Sequence, residues 1–406
     1  MENQSILIHH VFFLLIFIIS VGMASGRIAG WLKIPDVAVF LLAGIIVGQG
    51  LHLVHETSTS FTNQFILILG STLILFDGGR NIRLSGLRKV WMTVALLSVP
   101  GVLITAAVVG FAAYYILGLP LLYAFLLAAV ISSTDPATLI PVFKHVKIVP
   151  KVRETVESES AFNDATGSIL TFTILAVIMG GASINVAGSI RDFMVAAGGG
   201  IFTGIIVGAA AAILVGHKKF GFLRDYATIS IIVAALGSYL LGDVLHVSGF
   251  MATFVAGLMF GNSRLFGLHV KEEREASHFS DNITTIMRML IFVLLGSQVN
   301  FQAIVEYFWA SLAVIAVFMF IARPLTVFAS ALPDRKAKWT WREMLFMCWV
   351  RETGVIPAAL SGMIAASGVK YADVISSVTF MAILLTILVQ ASTTAFVAKK
   401  LGLEAG

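Results

Sequence analysis

Three carboxylates and an amide, within residues 157–164, begin a long apolar segment of the chain. Ionisable groups at membrane depth are costly, so they usually line a water-filled cavity, pair with an opposite charge, or carry ions and protons. Ser160, Asn163 and Asp164 are spaced i, i+3 and i+4, which places them on one face of a helix. A hydroxyl, an amide oxygen and a carboxylate suit a hard alkali cation, and the carboxylate can bind a proton instead. The alternative is that Asn163 and Asp164 only hydrogen-bond to neighbouring helices, but a buried acid without a use is expensive to keep.

A second polar interruption, residues 132–136, divides the preceding apolar segment. It contains Thr134, Asp135 and Pro136, and proline cannot continue the hydrogen bonding of a helix. Asp135 either caps the second half of a broken helix or binds the ion, and the sequence leaves both interpretations open. Two adjacent segments that are broken or acidic make ion transport the leading functional prediction.

Other charged residues within apolar segments are expected to neutralise one another. Glu159 lies one position off the cation-binding face, and its predicted partner is Arg323. Asp77 and Arg351 are predicted to form a second pair. Arg288 is an alternative partner for either acid.

The composition places the chain among membrane proteins. It is 58% hydrophobic and 12% charged, whereas soluble domains are about 45–50% apolar and 25% charged. A membrane-spanning helix needs about 20 mainly apolar residues, and thirteen segments qualify, two of them short. Their approximate limits are 6–25, 36–51, 61–79, 91–117, 120–143, 153–179, 192–216, 225–245, 247–262, 279–298, 302–331, 341–367 and 371–398.

The distribution of the 27 lysines and arginines predicts the orientation. With thirteen spans and the N-terminus outside, all but five of these residues fall in inside loops. Only Arg191 and Lys370 lie outside, and Arg288, Arg323 and Arg351 lie within spans. Basic residues favour cytoplasmic loops, so the sequence predicts an N-out, C-in protein of the cell membrane, in contact with lipid and not with nucleic acid.

Landmarks that recur along the chain predict two inverted six-helix repeats. Residues 43–48 match 256–261 at an offset of 213, and 75–79 match 294–298 at an offset of 219. Broken helices 5 and 12, at Asp135-Pro136 and at 351–357, form the third match. The expected units are repeat one at about 6–180, a linking helix at 192–216 and repeat two at 225–398, with no soluble regulatory domain. An odd number of crossings before repeat two inverts it, and such repeats place a transport site where their broken helices meet.

Several other classes lack support in the sequence. There is no phosphate-binding loop for an ATP-driven pump, no zinc-ligand spacing, and one cysteine, Cys348, which cannot form an intramolecular disulfide. An intramembrane enzyme would need a catalytic pair at depth, and none is convincing. We therefore predict no enzymatic activity and no cofactor.

The combined motifs resemble those of NhaP-type Na⁺/H⁺ antiporters of the monovalent cation:proton antiporter superfamily. The similarity rests on Thr134-Asp135-Pro136, on Glu159-Ser160-x-x-Asn163-Asp164, and on Ala322-Arg323, the Arg351 segment and residues 75–79. It implies a thirteen-span homodimer whose core domain moves against a dimerisation domain. It further implies that Asp164 binds the ion and the proton, helped by Ser160, Asn163 and the Thr134 backbone, with Glu159 paired to Arg323. A single aspartate after Asn163 resembles the electroneutral branch.

The expected function is therefore exchange of Na⁺, or Li⁺, for H⁺ by alternating access. The nearest alternative is K⁺/H⁺ exchange by the same fold, because selectivity depends on cavity size and ligand field and no residue settles it. A gated cation channel is a more distant alternative.

Overall fold

Long apolar helices dominate the protein. A computed structural model describes residues 2–32, 34–54, 56–134, 148–180, 186–217, 219, 221–268 and 273–403. Within these ranges, nine helices are long and apolar enough to cross a membrane, and four shorter apolar helices accompany them at 36–50, 121–131, 249–261 and 355–366. Each predicted segment overlaps one of these helices, and the chain is a multi-pass, all-helical membrane protein.

The helices are numbered in chain order. The first nine are α1 (Glu2–Leu32), α2 (Asp36–Ile45), α3 (Phe61–Asn81), α4 (Leu84–Ser98), α5 (Pro100–Leu117), α6 (Leu121–Ile131), α7 (Pro150–Gly180), α8 (Val186–Gly216) and α9 (Ala227–Val244). The others are α10 (Gly249–Gly261), α11 (Glu273–Ser297), α12 (Phe301–Glu306), α13 (Phe308–Val317), α14 (Arg323–Ala331), α15 (Trp341–Trp349), α16 (Val355–Ala366), α17 (Ala372–Leu385) and α18 (Ser392–Leu401).

Three helices contain wider, π-helical turns that the sequence did not predict. These turns are Ile46–Gly50 after α2, Phe318–Ala322 between α13 and α14, and Thr386–Ala391 between α17 and α18. The predicted fourth span begins seven residues earlier than expected, at Leu84, and is divided before Pro100. Wider turns of this kind are rare and often mark functional sites, and the turn at Phe318–Ala322 leads directly into the buried Arg323.

Two helix pairs pack through glycines in the same way. α2 crosses α11, and α10 crosses α3, and in both crossings a glycine of each helix lies against a backbone carbonyl of the other. Small residues let helix backbones approach closely in a membrane. The four contacts are Gly44 with the Val293 carbonyl, Gly296 with Leu41, Gly257 with Phe76 and Gly79 with Phe254.

These contacts can be compared with the predicted repeat offsets. Gly44 and Gly257, which the offset of 213 pairs, make the same kind of contact. Gly79 corresponds to Gly296, because both lie against the residue three positions before their partner glycine. These two glycines are 217 positions apart, two fewer than the predicted offset of 219, which pairs Gly79 with Gln298.

Replacement of Gly257 by alanine is expected to destabilise the α10–α3 crossing. An added Cβ would collide with the Phe76 carbonyl oxygen, which is backbone and cannot rotate away. Overpacking of this kind costs about 1–3 kcal/mol, which a thermal unfolding curve in detergent would record as a lower Tm. Gly237→Ala in α9 is the matched control, because nothing lies within 4 Å of its added Cβ. An unchanged Tm for Gly257→Ala would contradict close backbone contact at this crossing.

Two helices end at the polar interruptions noted in the sequence. α6 ends at Ile131, and Ser132, Ser133 and Thr134 continue in a non-helical path with their side chains buried. α15 ends at Trp349, and the chain resumes a helix only at Val355. The largest buried apolar cluster includes residues of α2, α6, α11, α16 and α17. Residues 132–134 and 350–354 are buried, as expected for non-helical backbone within a membrane protein, which is tolerated where it is buried in protein or lines a water-filled cavity.

Candidate cation site

The residues after α6 are bound to α7 by a compact hydrogen-bond cluster. The Thr134 backbone N–H donates to Asn163 Oδ1 at 3.1 Å, and Asn163 Nδ2 donates to Thr134 Oγ1 at 2.8 Å. The Thr134 and Ser160 hydroxyls are 2.6 Å apart. All three side chains are at most 4% exposed. The structure thus brings together three of the predicted site residues, at the point where α6 stops.

Asp164 follows Asn163 in α7 and is also buried, at 7% exposure. It is one helical turn from Ser160, so the two share a face. Gly167, the next residue on this face, lies directly against Ser133, and a side chain there would collide with the Ser133 hydroxyl. The face of α7 that carries Asp164 therefore packs against the non-helical segment after α6. Asp135 lies outside the described residues, so its two interpretations stay predictions.

The buried charge pair lies immediately beside this cluster. Arg323 at the start of α14 contacts both carboxylate oxygens of Glu159, with Nη2 to Oε2 at 2.9 Å and Nη1 to Oε1 as the second contact. Arg323 is 1% exposed and Glu159 is 2% exposed. Such bidentate contacts fix the geometry of both groups, and the predicted pairing is the one that the structure contains.

The predicted pairing of Asp77 with Arg351 is wrong. Asp77 instead accepts hydrogen bonds from Arg80 at 2.7 Å, Asn81 at 3.0 Å and Ser280 at 2.6 Å. Two of these partners are on the same helix, α3, at spacings i+3 and i+4. Asp77 therefore has its hydrogen-bond partners near the end of α3, and Arg351 lies elsewhere.

Arg351 binds backbone and hydroxyl oxygen instead of a carboxylate. Its Nη2 donates to the Ser132 carbonyl at 2.6 Å and its Nη1 donates to Thr105 at 3.2 Å. The guanidinium also lies 4.7 Å from the centre of the Phe318 ring. Sequence reasoning missed these contacts, because a carbonyl acceptor leaves no signal in residue type.

The two buried arginines have a common role at the helix ends. Arg351 binds the carbonyl that follows α6, and Arg323 donates to the Met347 and Val350 carbonyls at 2.9 and 3.2 Å, at the end of α15. The last carbonyls of a helix lack internal partners and carry a partial negative charge of about half a unit. Each arginine therefore stabilises one of the two helices that end inside the protein.

The second interruption is also held by a threonine N–H. The Thr353 backbone N–H donates to Thr386 Oγ1 at 3.1 Å, as the Thr134 N–H donates to Asn163. Thr386 begins the π-helical turn between α17 and α18. The same backbone contact therefore fixes both interruptions, with a different side chain as the acceptor.

Comparison with known proteins agrees with this arrangement. The family described as "Sodium/hydrogen exchanger, transmembrane" matches residues 12–400. The chain belongs to the sodium/hydrogen exchanger family. The exchanger is 31% identical to Na⁺/H⁺ antiporter 1 of Methanocaldococcus jannaschii, over 94% of this chain and 93% of that protein. It is 28% identical to the K⁺/H⁺ antiporter NhaP of Alkalimonas amylolytica, over 99% of this chain and 67% of that protein.

The fold of the exchanger has a close counterpart among solved structures. The sodium proton antiporter MjNhaP1 from M. jannaschii, determined at pH 8, superimposes with a TM-score of 0.87 at 30% identity. The match covers 97% of this chain and 99% of that one. The exchanger is therefore an antiporter-type transporter by family, and the predicted resemblance is confirmed.

Proposed function

We propose that the exchanger transports Na⁺, or Li⁺, in one direction and H⁺ in the other, with Asp164 as the group that binds either one. The observation that carries this proposal is the cluster of Thr134, Ser160 and Asn163 around a helix end, on the face of α7 that holds a buried acid. The similarity to proteins named as Na⁺/H⁺ antiporters supports the same cation.

The polar side chains of the cluster are proposed to have different roles in binding the cation. Asn163 Oδ1 already accepts the Thr134 N–H, and Nδ2 binds the Thr134 hydroxyl. Asn163 therefore acts chiefly as the clamp that holds the segment after α6 against α7. Ser160 and Thr134 then supply neutral oxygens and Asp164 supplies the charge. Because a carboxylate that holds a proton attracts a cation far less, the two substrates compete and exchange follows.

Charge balance is proposed to be one cation for one proton. The Glu159 carboxylate is neutralised by Arg323 in a buried, bidentate contact, so Glu159 is not expected to take part in the cycle. With Asp164 as the only cycling group, each half-cycle carries one positive charge and the exchange is electroneutral.

The wider architecture is proposed to follow the sequence prediction. The nine long and four short apolar helices of the described residues would give thirteen crossings, with the N-terminus outside and the C-terminus inside. The glycine crossings of α2 with α11 and α10 with α3 support two related halves, at about 6–180 and 225–398, inverted and joined by α8. Alternating access would then come from a core that moves against a dimerisation domain within a homodimer.

Potassium is the alternative cation for the same site. Relatives include a protein named as a K⁺/H⁺ antiporter, and a site of hydroxyl and carboxylate oxygens accepts either ion. A gated cation channel remains the more distant alternative, and the family match favours an exchanger.

Addition of Na⁺ or Li⁺ to proteoliposomes that contain the purified protein is expected to move protons, with a much weaker response to K⁺. An internal pH dye reports proton movement, and choline chloride is the control for ionic strength. An equal or larger response to K⁺ would assign K⁺/H⁺ exchange instead.

An imposed membrane potential is expected to leave the rate of exchange unchanged, because one cation is exchanged for one proton. Marked acceleration by the potential would contradict this one-for-one balance.

A further inference from the structure

A basic cavity lies between α4, the beginning of α7 and the loop from α14 to α15. Its volume is about 660 Å³. Ten residues line it, and half of them are basic, with a single acidic residue, Asp334. The basic residues are Arg88, Lys89, Lys151, Arg335 and Lys336.

The acid in this cavity is already occupied by hydrogen-bond donors. Asp334 Oδ2 accepts the Thr93 N–H at 3.2 Å and the Thr93 hydroxyl at 2.7 Å, and Oδ1 accepts the Ala337 N–H at 3.2 Å. Trp339 Nε1 donates to the same Thr93 hydroxyl at 2.8 Å. Asp334 is 4% exposed, so it fixes the loop, and its single negative charge is outnumbered by the five basic residues of the cavity.

Lys151 also binds residues of the loop from α14 to α15 and the start of α15. Its Nζ binds Glu343 at 2.8 Å and the Ala337 carbonyl at 3.1 Å, and it lies 4.4 Å from the centre of the Trp339 ring. The other four basic side chains are exposed and form no ion pair with any acid in the described ranges. The cavity therefore holds four exposed positive charges that no acid of the described residues pairs with.

Exposed apolar residues adjoin the cavity along the chain. Trp91 lines the cavity and is 58% exposed, Leu332 precedes the lining residue Pro333 and is 64% exposed, and Trp341 at the start of α15 is 61% exposed. Exposed tryptophans are typical of the level of the lipid headgroups. A ligand with a negative head and an apolar tail fits both parts, whereas a soluble anion would use only the charge.

We propose that this cavity binds the phosphate headgroup of an anionic phospholipid, with Arg88, Lys89, Arg335 and Lys336 around the phosphate. Basic pockets between membrane helices commonly recognise such headgroups. In the predicted orientation the lipid belongs to the cytoplasmic leaflet. The bound lipid joins α4 to the loop that leads into α15, the helix whose end Arg323 holds beside the cation site.

The test compares lipid binding by two double variants of the full chain, by native mass spectrometry in detergent without added Na⁺. Each basic residue near a membrane surface contributes about 1 kcal/mol to binding of anionic lipid, so Arg335→Gln/Lys336→Gln is expected to weaken phosphatidylglycerol binding roughly 30-fold. Arg27→Gln/Arg274→Gln removes the same charge from α1 and α11, near the helix ends predicted inside, and its affinity should stay within about twofold of the wild type.

Three outcomes would overturn the proposal. The first is unchanged phosphatidylglycerol affinity in Arg335→Gln/Lys336→Gln, with Arg88→Gln/Lys89→Gln as the second variant if the first does not fold. The second is equal binding of phosphatidylcholine, which would show that binding does not depend on the net negative charge of the lipid headgroup. The third is equally tight binding of soluble glycerol phosphate, which would assign the cavity to free anions. None of these measurements depends on transport, so they are separate from the test of Asp164.

Discussion

Asp164→Asn is expected to abolish cation-driven proton movement in proteoliposomes and to remove cation binding. Asparagine keeps the shape of the side chain, but it carries no charge for the cation and accepts no proton. Because the proposed cycle has no other group that alternates between the two substrates, the loss should reach the level of protein-free liposomes. Cation binding is measured separately by calorimetry on the purified protein.

The control for this variant is an acid elsewhere in the same membrane protein. Asp192 in α8 has a side chain that is 64% exposed, and Asp192→Asn should leave exchange unchanged. Substantial exchange by Asp164→Asn, at a reconstituted amount equal to the wild type, would remove Asp164 from the mechanism. A folded variant is recognised by a melting temperature close to that of the wild type.

Removal of either member of the Glu159–Arg323 pair is expected to destabilise the protein strongly. Breaking a fully buried pair leaves one charge uncompensated and costs about 3–5 kcal/mol. Arg323→Gln should cost more than Glu159→Gln, because Arg323 also binds the Met347 and Val350 carbonyls at the end of α15. The double variant Glu159→Gln/Arg323→Gln should regain part of the loss, which thermal unfolding measures.

An exposed pair at similar distance provides the matched comparison. Arg153 and Glu157 in α7 are 2.8 Å apart, with side chains 42% and 29% exposed. An i, i+4 pair of this kind contributes only about 0.3–0.5 kcal/mol, so its double-mutant cycle should show weak coupling. Strictly additive losses for Glu159 and Arg323 would mean that the two residues do not interact.

The sequence predicted most of what depends on residue type. Apolar segments located the nine long and four short apolar helices of the described residues, and the polar residues 132–134 and 351–354 marked where α6 and α15 have ended. Spacing placed Ser160, Asn163 and Asp164 on one face. The Glu159–Arg323 contact followed from charge complementarity within apolar segments. These predictions succeeded because burial in lipid leaves few ways to satisfy a charge or a broken helix.

The contacts that the sequence missed use backbone atoms or local geometry. Arg351 binds the Ser132 carbonyl, and every residue has a carbonyl, so no residue type marks this acceptor in advance. Asp77 was paired with a distant arginine although Arg80 and Asn81 were available within one turn. The π-helical turn at Thr386–Ala391 was likewise not predictable, because no residue type marks such a turn in the sequence.

The shared clamp at the two interruptions bears on how such a protein could arise by duplication. Asn163 holds the Thr134 N–H and is followed by Asp164, whereas Thr386 holds the Thr353 N–H and is followed by Ile387, which is fully buried. If one ancestral module gave both halves, its copies have since diverged at the residue after the clamp, which is an aspartate in one half and an isoleucine in the other. The second half keeps a different buried acid, Glu352, beside Thr353, and it contributes the two buried arginines that bind the helix ends. Under the proposed mechanism the ion-binding acid therefore belongs to one half only, so duplication of the clamp did not by itself duplicate the transport site.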